Sequence, residues 1–394
     1  MKTILKNVLL ITVLSLFTLV SCTSDATLDS TNEQILSKKA SFSEGSKGII
    51  EEIILNKKGR SLLENNNTFD IERAVIPSED CDTNRPFDLV MLEEFSKIDT
   101  RGEFRSFLLF NVLNQVSVFD GIFNDYAAEQ YFGIDAEYTN YIQNRQRNLE
   151  KFWSMEDTGI SVRGQHNKTL EDAEHLIYLL INYFVILNPD DPFGPPIPYT
   201  EEMAAIRVNE LMQVAEESDF VTESPVLSMA GFTTIIPTPD GNLHKPIVIG
   251  DGLIELISRI GLDPKVVWSN ILAHEWAHQI QFENNWVTQG IPTPEDTRRQ
   301  ELEADFFASY YLTHKRGATY NWKRVEDVME AFYSGGDCSF ESPGHHGTPA
   351  ERKEASWQGY LLAHNASPKS HILSTSKLHE IFLDLLDDIV AIDN

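Results

Sequence analysis

The sequence contains little cysteine and much less positive than negative charge. Three cysteines in 394 residues are too few for a fold built on a disulfide framework. Basic residues number 32 against 60 acidic ones, and phosphate backbones would repel a surface with the resulting formal charge of −28. Nucleic acid is therefore not an expected partner. The chain also lacks a glycine-rich loop for phosphate and a convincing setting for a serine or cysteine nucleophile.

Long apolar runs are scarce, and one of them follows the short basic start of the chain. The run from Val8 to Val20 is too short to cross a membrane comfortably and lies where a secretory signal peptide belongs. It ends in Leu19-Val20-Ser21-Cys22, which resembles the lipobox of bacterial lipoproteins. The resemblance implies that residues 1–21 are a signal peptide and that acylated Cys22 anchors an exported protein at the cell envelope. Thr23, rather than Asp, implies the outer membrane in a Gram-negative host. An ordinary signal peptide with an incidental cysteine is the alternative.

The remainder divides into three parts by composition and periodicity. Ser, Thr, Asn and charged residues dominate residues 22–83, which predicts a tether. Apolar spacings of three and four predict a mainly helical region over residues 84–198, including a helix that starts at Thr169 as its N-cap and runs to Leu187. Residues 199–394 carry the motifs described below. The sequence leaves open whether Cys81 and Cys338 pair, although an exported protein meets oxidising conditions.

Two short runs typical of β-strands precede the most informative helix. They are Phe232–Pro237 and Pro246–Gly250, both rich in β-branched residues and bounded by Pro or Gly. After them, Asp263 is suited to cap a helix with Pro264 at its first position. The second run is either an edge strand that could pair with an extended substrate or an inner strand of a small sheet.

The helix predicted after Asp263 contains His274-Glu275-Trp276-Ala277-His278, an H-E-x-x-H motif. Residues four apart share one helical face, so the two imidazoles can converge on one cation. Glu275 follows the first histidine and can reach the open position of such a metal, where it would take a proton from water. Two histidines and a glutamate on a surface helix are the alternative, and the rest of the sequence must decide.

A third ligand is available in the segment Gln300-Glu301-Leu302-Glu303-Ala304-Asp305. Glu301 and Asp305 are four residues apart and share a helical face, whereas Glu303 is rotated by about 200° and points elsewhere. We expect Glu301 to bind the metal and Asp305 to accept an N–H from a ligating histidine. Apolar neighbours surround these acids, and burying carboxylates there without a cation would be costly.

The motifs together resemble a known family. The metzincin pattern is absent, because Gln281 and Asn284 stand where it needs Gly and His. The order H-E-x-x-H, then E-x-x-A-D, then a segment that starts at His346 and continues to Tyr360 resembles bacterial neutral zinc metallopeptidases and, more distantly, the gluzincins. The match covers about a fifth of the chain. It implies an α+β, predominantly helical protein with a zincin-like core over residues 199–394 and a small β-sheet before the active-site helix.

The resemblance also implies roles for individual residues. His274, His278 and Glu301 would bind Zn²⁺, Glu275 would be general base and then proton donor, and Asp305 would orient a ligand. His346 is the predicted oxyanion-stabilising catalytic residue, with Arg352 as its alternative. His345, Tyr310 and Tyr311 are further candidates, although aromatic residues at helical spacing more often form core.

The sequence therefore predicts a lipid-anchored zinc metallopeptidase that hydrolyses peptide bonds with zinc-bound water activated by Glu275. Its expected partners are a peptide or protein substrate and, through Cys22, the membrane, with no nucleic acid. The alternatives are a zincin fold without catalysis and a helical surface lipoprotein that binds peptides or glycans. Substrate specificity, the role of the N-terminal helical region and the oligomeric state are not readable from the residues.

Overall fold

The computed structural model describes residues 54–55, 86–96, 130–167, 172–186, 195–216, 224–237, 243–288, 292–335 and 345–392. The predictions for the signal peptide, the lipid anchor at Cys22, the Cys81–Cys338 pair and almost all of the tether lie outside these residues. Within these ranges, no helix has both the length and the apolar character that crossing a membrane requires.

The described chain is predominantly helical with a small mixed sheet, as the sequence predicts. The helices in chain order are α1 (Pro86–Ser96), α2 (Thr139–Trp153), α3 (Ala173–Tyr183), α4 (Glu201–Glu216), α5 (Asp251–Ser258), α6 (Pro264–Glu283), α7 (Pro294–Thr313), α8 (Trp322–Gly335), α9 (Pro349–His364) and α10 (Thr375–Val390).

The strands are short. They are β1 (Ile54–Leu55), β2 (Ile160–Gln165), β3 (Phe184–Ile186), β4 (Ile197–Pro198), β5 (Gly231–Thr233), β6 (Ile236–Pro237) and β7 (Leu243–Gly250). In the sheet that precedes α6, β7 lies between parallel β2 and antiparallel β5, and β6 also pairs with β7. The second predicted strand is thus an inner strand, not an edge. A separate small sheet has the order β1-β3-β4.

The predicted run Phe232–Pro237 forms two strands, because its pairing with β7 is interrupted. β5 and β6 are separated by Thr234 and Ile235, opposite Pro246, which has no N–H to donate to a ladder. The carbonyl of Thr234 accepts a hydrogen bond from Gln279 Nε2 of α6 at 3.0 Å instead. The interruption therefore fastens this part of the sheet to the helix that carries H-E-x-x-H.

In the N-terminal helical region, the predicted bounds of one helix are wrong, and one strand lies among the helices. The helix predicted from Thr169 to Leu187 has Asp172 as its N-cap and ends at Tyr183, and the next three residues form β3, which pairs with β1 and β4. Residues 160–165, which lie within the region predicted to be mainly helical, form β2. Because β2 pairs with β7 along six residues, the sheet combines strands from both sides of the predicted boundary at residue 199.

Local capping explains where the three helices of the site begin. Asp263 caps α6 by accepting from Lys265 N at 2.8 Å, with Pro264 at the first position as predicted. Thr293 and Thr348 begin α7 and α9 with capping boxes, and each is followed by proline. Nearly all of α6 from Val266 to Gln281 is buried, so this helix forms the centre of the core.

Candidate metal centre

Helix α6 presents two imidazoles on one face. His274 and His278 are both buried, and their rings are nearly perpendicular with centroids 4.7 Å apart. The Nε2 atoms face each other at 3.1 Å. This follows from the spacing of four residues, which places successive side chains one turn apart on the same face.

Helix α7 adds the carboxylate that the sequence predicts. Glu301 Oε2 lies 3.3 Å from His274 Nε2, and Glu301 Oε1 lies 3.2 Å from His278 Nε2. One ligand atom from each of the three residues lies within 4.8 Å of the others, and all three residues are buried. The described residues thus bring together the donor set expected from the sequence, two imidazole nitrogens and one carboxylate.

The donor set fits a divalent cation. Glu301 Oε1 is buried and faces His278 Nε2 at 3.2 Å without a hydrogen bond of ordinary geometry, so a cation between these atoms would stabilise the buried carboxylate further. Two imidazoles and one carboxylate form the ligand set of many zinc sites with an open position, although other divalent metals accept the same donors. The residues present therefore fit the zinc that the resemblance implies without being specific to it.

The electrostatics of the cluster follow from burial and proximity. Burial lowers the pKa of His274, but Asp305 and Glu301 outweigh it and raise the value to about 10. Burial raises the pKa of Glu301, but His278, His346 and the hydrogen bonds of the ligating imidazoles bring it well below its usual range. Without a metal, the imidazoles of His274 and His278 form ion pairs with Glu301 and Asp305. A divalent cation would replace the protons on the imidazole nitrogens that face Glu301.

Asp305 supports His274, as predicted. Its Oδ1 lies 2.8 Å from His274 Nδ1, and it also accepts from Arg352 Nε at 2.7 Å and Nη2 at 2.8 Å. Arg352, the predicted alternative to His346, is buried and its guanidinium pairs with this carboxylate. Asp305 therefore fixes the side of His274 that faces away from the cation site.

The segment before α9 brings His345 and His346 to buried positions. Electrostatic attraction to His346 is among the influences that lower the pKa of Glu301, so His346 lies near His274, His278 and Glu301. Its catalytic role stays a prediction. The tyrosines that were considered as electrophilic donors are engaged in the core instead: Tyr311 donates to Asn148 Oδ1 at 2.6 Å, and Tyr310 accepts from the backbone N of Leu373 at 3.0 Å.

Glu275 lies beside the edge of the sheet. It is buried, and burial raises its pKa while His274 and His278 oppose the rise. Gly231 of β5 is exposed, and a Cβ added to it would lie 4.0 Å from Glu275 Oε1. The same Cβ would lie 2.7 Å from Leu253 Cδ2, so the glycine lets the backbone of β5 lie close to Leu253 and to this carboxylate.

Sequence reasoning missed one supporting residue of the site. Gln281, which stands where the metzincin pattern needs glycine, has its Oε1 2.8 Å from His278 Nδ1. Glu303 does point away from Glu301, as predicted, but it is buried and accepts from Gln281 Nε2 at 3.1 Å. A spacing of three residues places Gln281 on the face of His278, and this was the available signal.

Comparison of the chain with models of protein families, with curated proteins and with solved structures finds no match in any of the three. The geometry of the buried cluster, rather than a relative, is therefore what supports a function.

Proposed function

We propose that this chain is a zinc-dependent metallopeptidase with a zincin-like core. The observation that carries the proposal is the convergence of two Nε2 atoms and the Glu301 carboxylate at 3.1–3.3 Å, with the carboxylate of Glu275 on the same helix. A helix that had two histidines by accident would not meet a buried, poorly hydrogen-bonded glutamate from a neighbouring helix.

His274, His278 and Glu301 would hold the zinc. When bound, zinc acts as a Lewis acid towards a carbonyl oxygen and lowers the pKa of water to about 7. Asp305 keeps His274 oriented through Nδ1, and Arg352 keeps Asp305 in place through two hydrogen bonds.

Glu275 carries the protons in this proposal. Its carboxylate takes a proton from the attacking water and returns it to the departing amide nitrogen. Burial suits it to this task, because a raised pKa brings a carboxylate closer to the range in which it can both accept and release a proton. Peptide-bond hydrolysis needs both transfers, so a single residue completes the cycle.

The substrate class follows from the edge of the sheet. β5 is the terminal strand of the β2-β7-β5 path, and its exposed Gly231 lies beside Glu275. An extended peptide or protein segment that pairs with β5 would bring its backbone past this carboxylate.

We further propose that the enzyme works at the cell envelope, held through a lipid on Cys22.

Metal content and one substitution test the function. Protein purified without added metal is expected to contain one zinc per chain, and Glu275→Gln is expected to retain it while losing about 10²- to 10⁴-fold in turnover of a peptide library. Glu283→Gln is the matched control, since Glu283 lies on the same helix and pairs with Lys245. It is expected to retain both properties.

The outcomes separate the competing functions. Bound zinc without turnover by the unaltered protein supports a zincin fold that binds peptides without catalysis. Absence of stoichiometric metal favours a helical surface lipoprotein. Unchanged turnover in Glu275→Gln refutes the assignment of the general base.

A further inference from the structure

The two ligating imidazoles are supported in different ways. His274 Nδ1 faces a carboxylate directly, that of Asp305. His278 Nδ1 faces the amide oxygen of Gln281 at 2.8 Å. An amide can either donate or accept, so by itself it does not determine which nitrogen of His278 carries the proton.

The surroundings of Gln281 remove this ambiguity. Its Nε2 donates to the carbonyl oxygen of Gln300 at 2.8 Å and to Glu303 Oε2 at 3.1 Å. A carbonyl and an ionised carboxylate only accept, so a reversed amide would place its oxygen against two acceptors. Gln281 must therefore present its oxygen to His278, and Nδ1 of His278 must carry the hydrogen. The lone pair of the neutral ring is then on Nε2, which faces Glu301.

Glu303 is itself held by the C-terminal helix. Its Oε1 accepts from His379 Nδ1 of α10, and Arg299 Nη1 lies 3.7 Å from its Oε2. The ring of His379 stacks on Trp286 with centroids 4.0 Å apart and an interplanar angle of 6°. Contacts thus connect a partly exposed histidine on α10 to the cation site.

We propose that Gln281, Glu303 and His379 are positioning residues that hold His278 in its metal-binding tautomer, so that α10 contributes to metal affinity. The inference rests on the metal site of the proposed function. It predicts an effect on the binding of zinc itself, and the test therefore needs no substrate.

The measurement is the dissociation constant for zinc, obtained by competition with a chelator. Gln281→Leu is expected to weaken zinc binding about 10- to 100-fold, because His278 loses its acceptor. Glu303→Gln is expected to weaken it less, because the carbonyl oxygen of Gln300 still accepts from Gln281 Nε2 and so keeps the amide in its orientation.

His379→Phe tests the contribution of α10, since it retains a ring on Trp286 and removes the donor to Glu303. It is expected to weaken zinc binding, whereas Lys377→Gln on the same helix is not, because Lys377 is exposed and pairs only with Glu380 among the described residues. Urea unfolding of each variant in the presence of a chelator establishes that the metal-free protein folds. If Gln281→Leu does not fold, Gln281→Met takes its place.

The results distinguish the inference from the function it deepens. Zinc affinity that is unchanged in Gln281→Leu overturns the positioning role while leaving the metal site intact. Failure of the unaltered protein to bind zinc overturns both.

Discussion

The buried pair of Asp305 and Arg352 yields the sharpest prediction for stability. Asp305 is completely buried, and Arg352 is almost so and donates twice to it, at 2.7 and 2.8 Å. Asp305→Ala would leave the buried guanidinium without its hydrogen-bonded counter-charge, while the Glu301 carboxylate would remain 3.8 Å from Nη2. Removing one member of such a pair costs about 3–5 kcal/mol, so the metal-free protein is expected to lose this much free energy of unfolding.

The attraction within the pair offsets the cost of burying its two charges, so replacing both residues should cost less than replacing one. Asp305→Leu combined with Arg352→Met puts apolar side chains into the same space, and we expect a smaller loss than from Asp305→Ala alone. His274 would still lose its Nδ1 acceptor in the double variant. Its zinc affinity should therefore fall about 10- to 100-fold even where stability recovers.

The assay is urea unfolding in the presence of a chelator, followed by far-ultraviolet circular dichroism, with zinc affinity measured separately. Equal destabilisation by the single and double substitutions would refute the idea that the unpaired guanidinium is the cause. A loss below about 1 kcal/mol for Asp305→Ala would show that Arg352 finds water or another partner.

Two further predictions concern packing and pH. Gly359→Ala should lower the free energy of unfolding in urea by about 1–3 kcal/mol, because the added Cβ would lie 2.2 Å from the backbone oxygen of Phe306. An unchanged free energy of unfolding would mean that α7 and α9 move apart without cost. Burial lowers the pKa of His314 below its ordinary 6.5, and its Nδ1 accepts from Arg316 N. The stability that the neutral His314 contributes is complete above pH 6.5 and is lost as the pH falls through the folded-state pKa. The urea midpoint of His314→Gln should therefore fall less on acidification than the midpoint of the unaltered protein. Parallel plots of midpoint against pH for the two proteins would contradict this.

Local chemistry made much of the fold readable. The cap at Asp263 with Pro264, and the residue types of β7, depend on neighbours in sequence, and these predictions are confirmed. The helix expected to reach Leu187 ends at Tyr183, because the residues that follow pair with β1 and β4 instead. Such pairing is a property of the assembled chain, and apolar periodicity does not distinguish it from a continuing helix.

In the site, too, some features depend on neighbours in sequence and others on the packing of the folded chain. The spacing of His274 and His278 fixes their shared face, and the spacing of Glu301 and Asp305 fixes theirs, so both pairs could be named from sequence. The approach of one pair to the other depends on the packing of α6 against α7, which no local pattern encodes. Arg352 was expected only as an alternative to His346 for the same reason, since the sequence does not show that α9 packs against α7 and places Arg352 beside Asp305.

Gln281 contacts a predicted zinc ligand although its place in the sequence pattern did not indicate this. Gln281 stands where the metzincin pattern needs a glycine, which argues against that family but assigns no role to the amide. The role arises because Glu303, rotated away from the ligand face of α7, meets the amide from the other side. A neutral amide then acts towards His278 much as Asp305 acts towards His274, with the negative charge placed one residue further from the metal. In the proposed site, the two histidines of α6 would thus both be oriented, but the carboxylate that supports His278 would lie further from the zinc than the one that supports His274. Zinc affinity should therefore fall more on loss of Asp305 than on loss of Glu303.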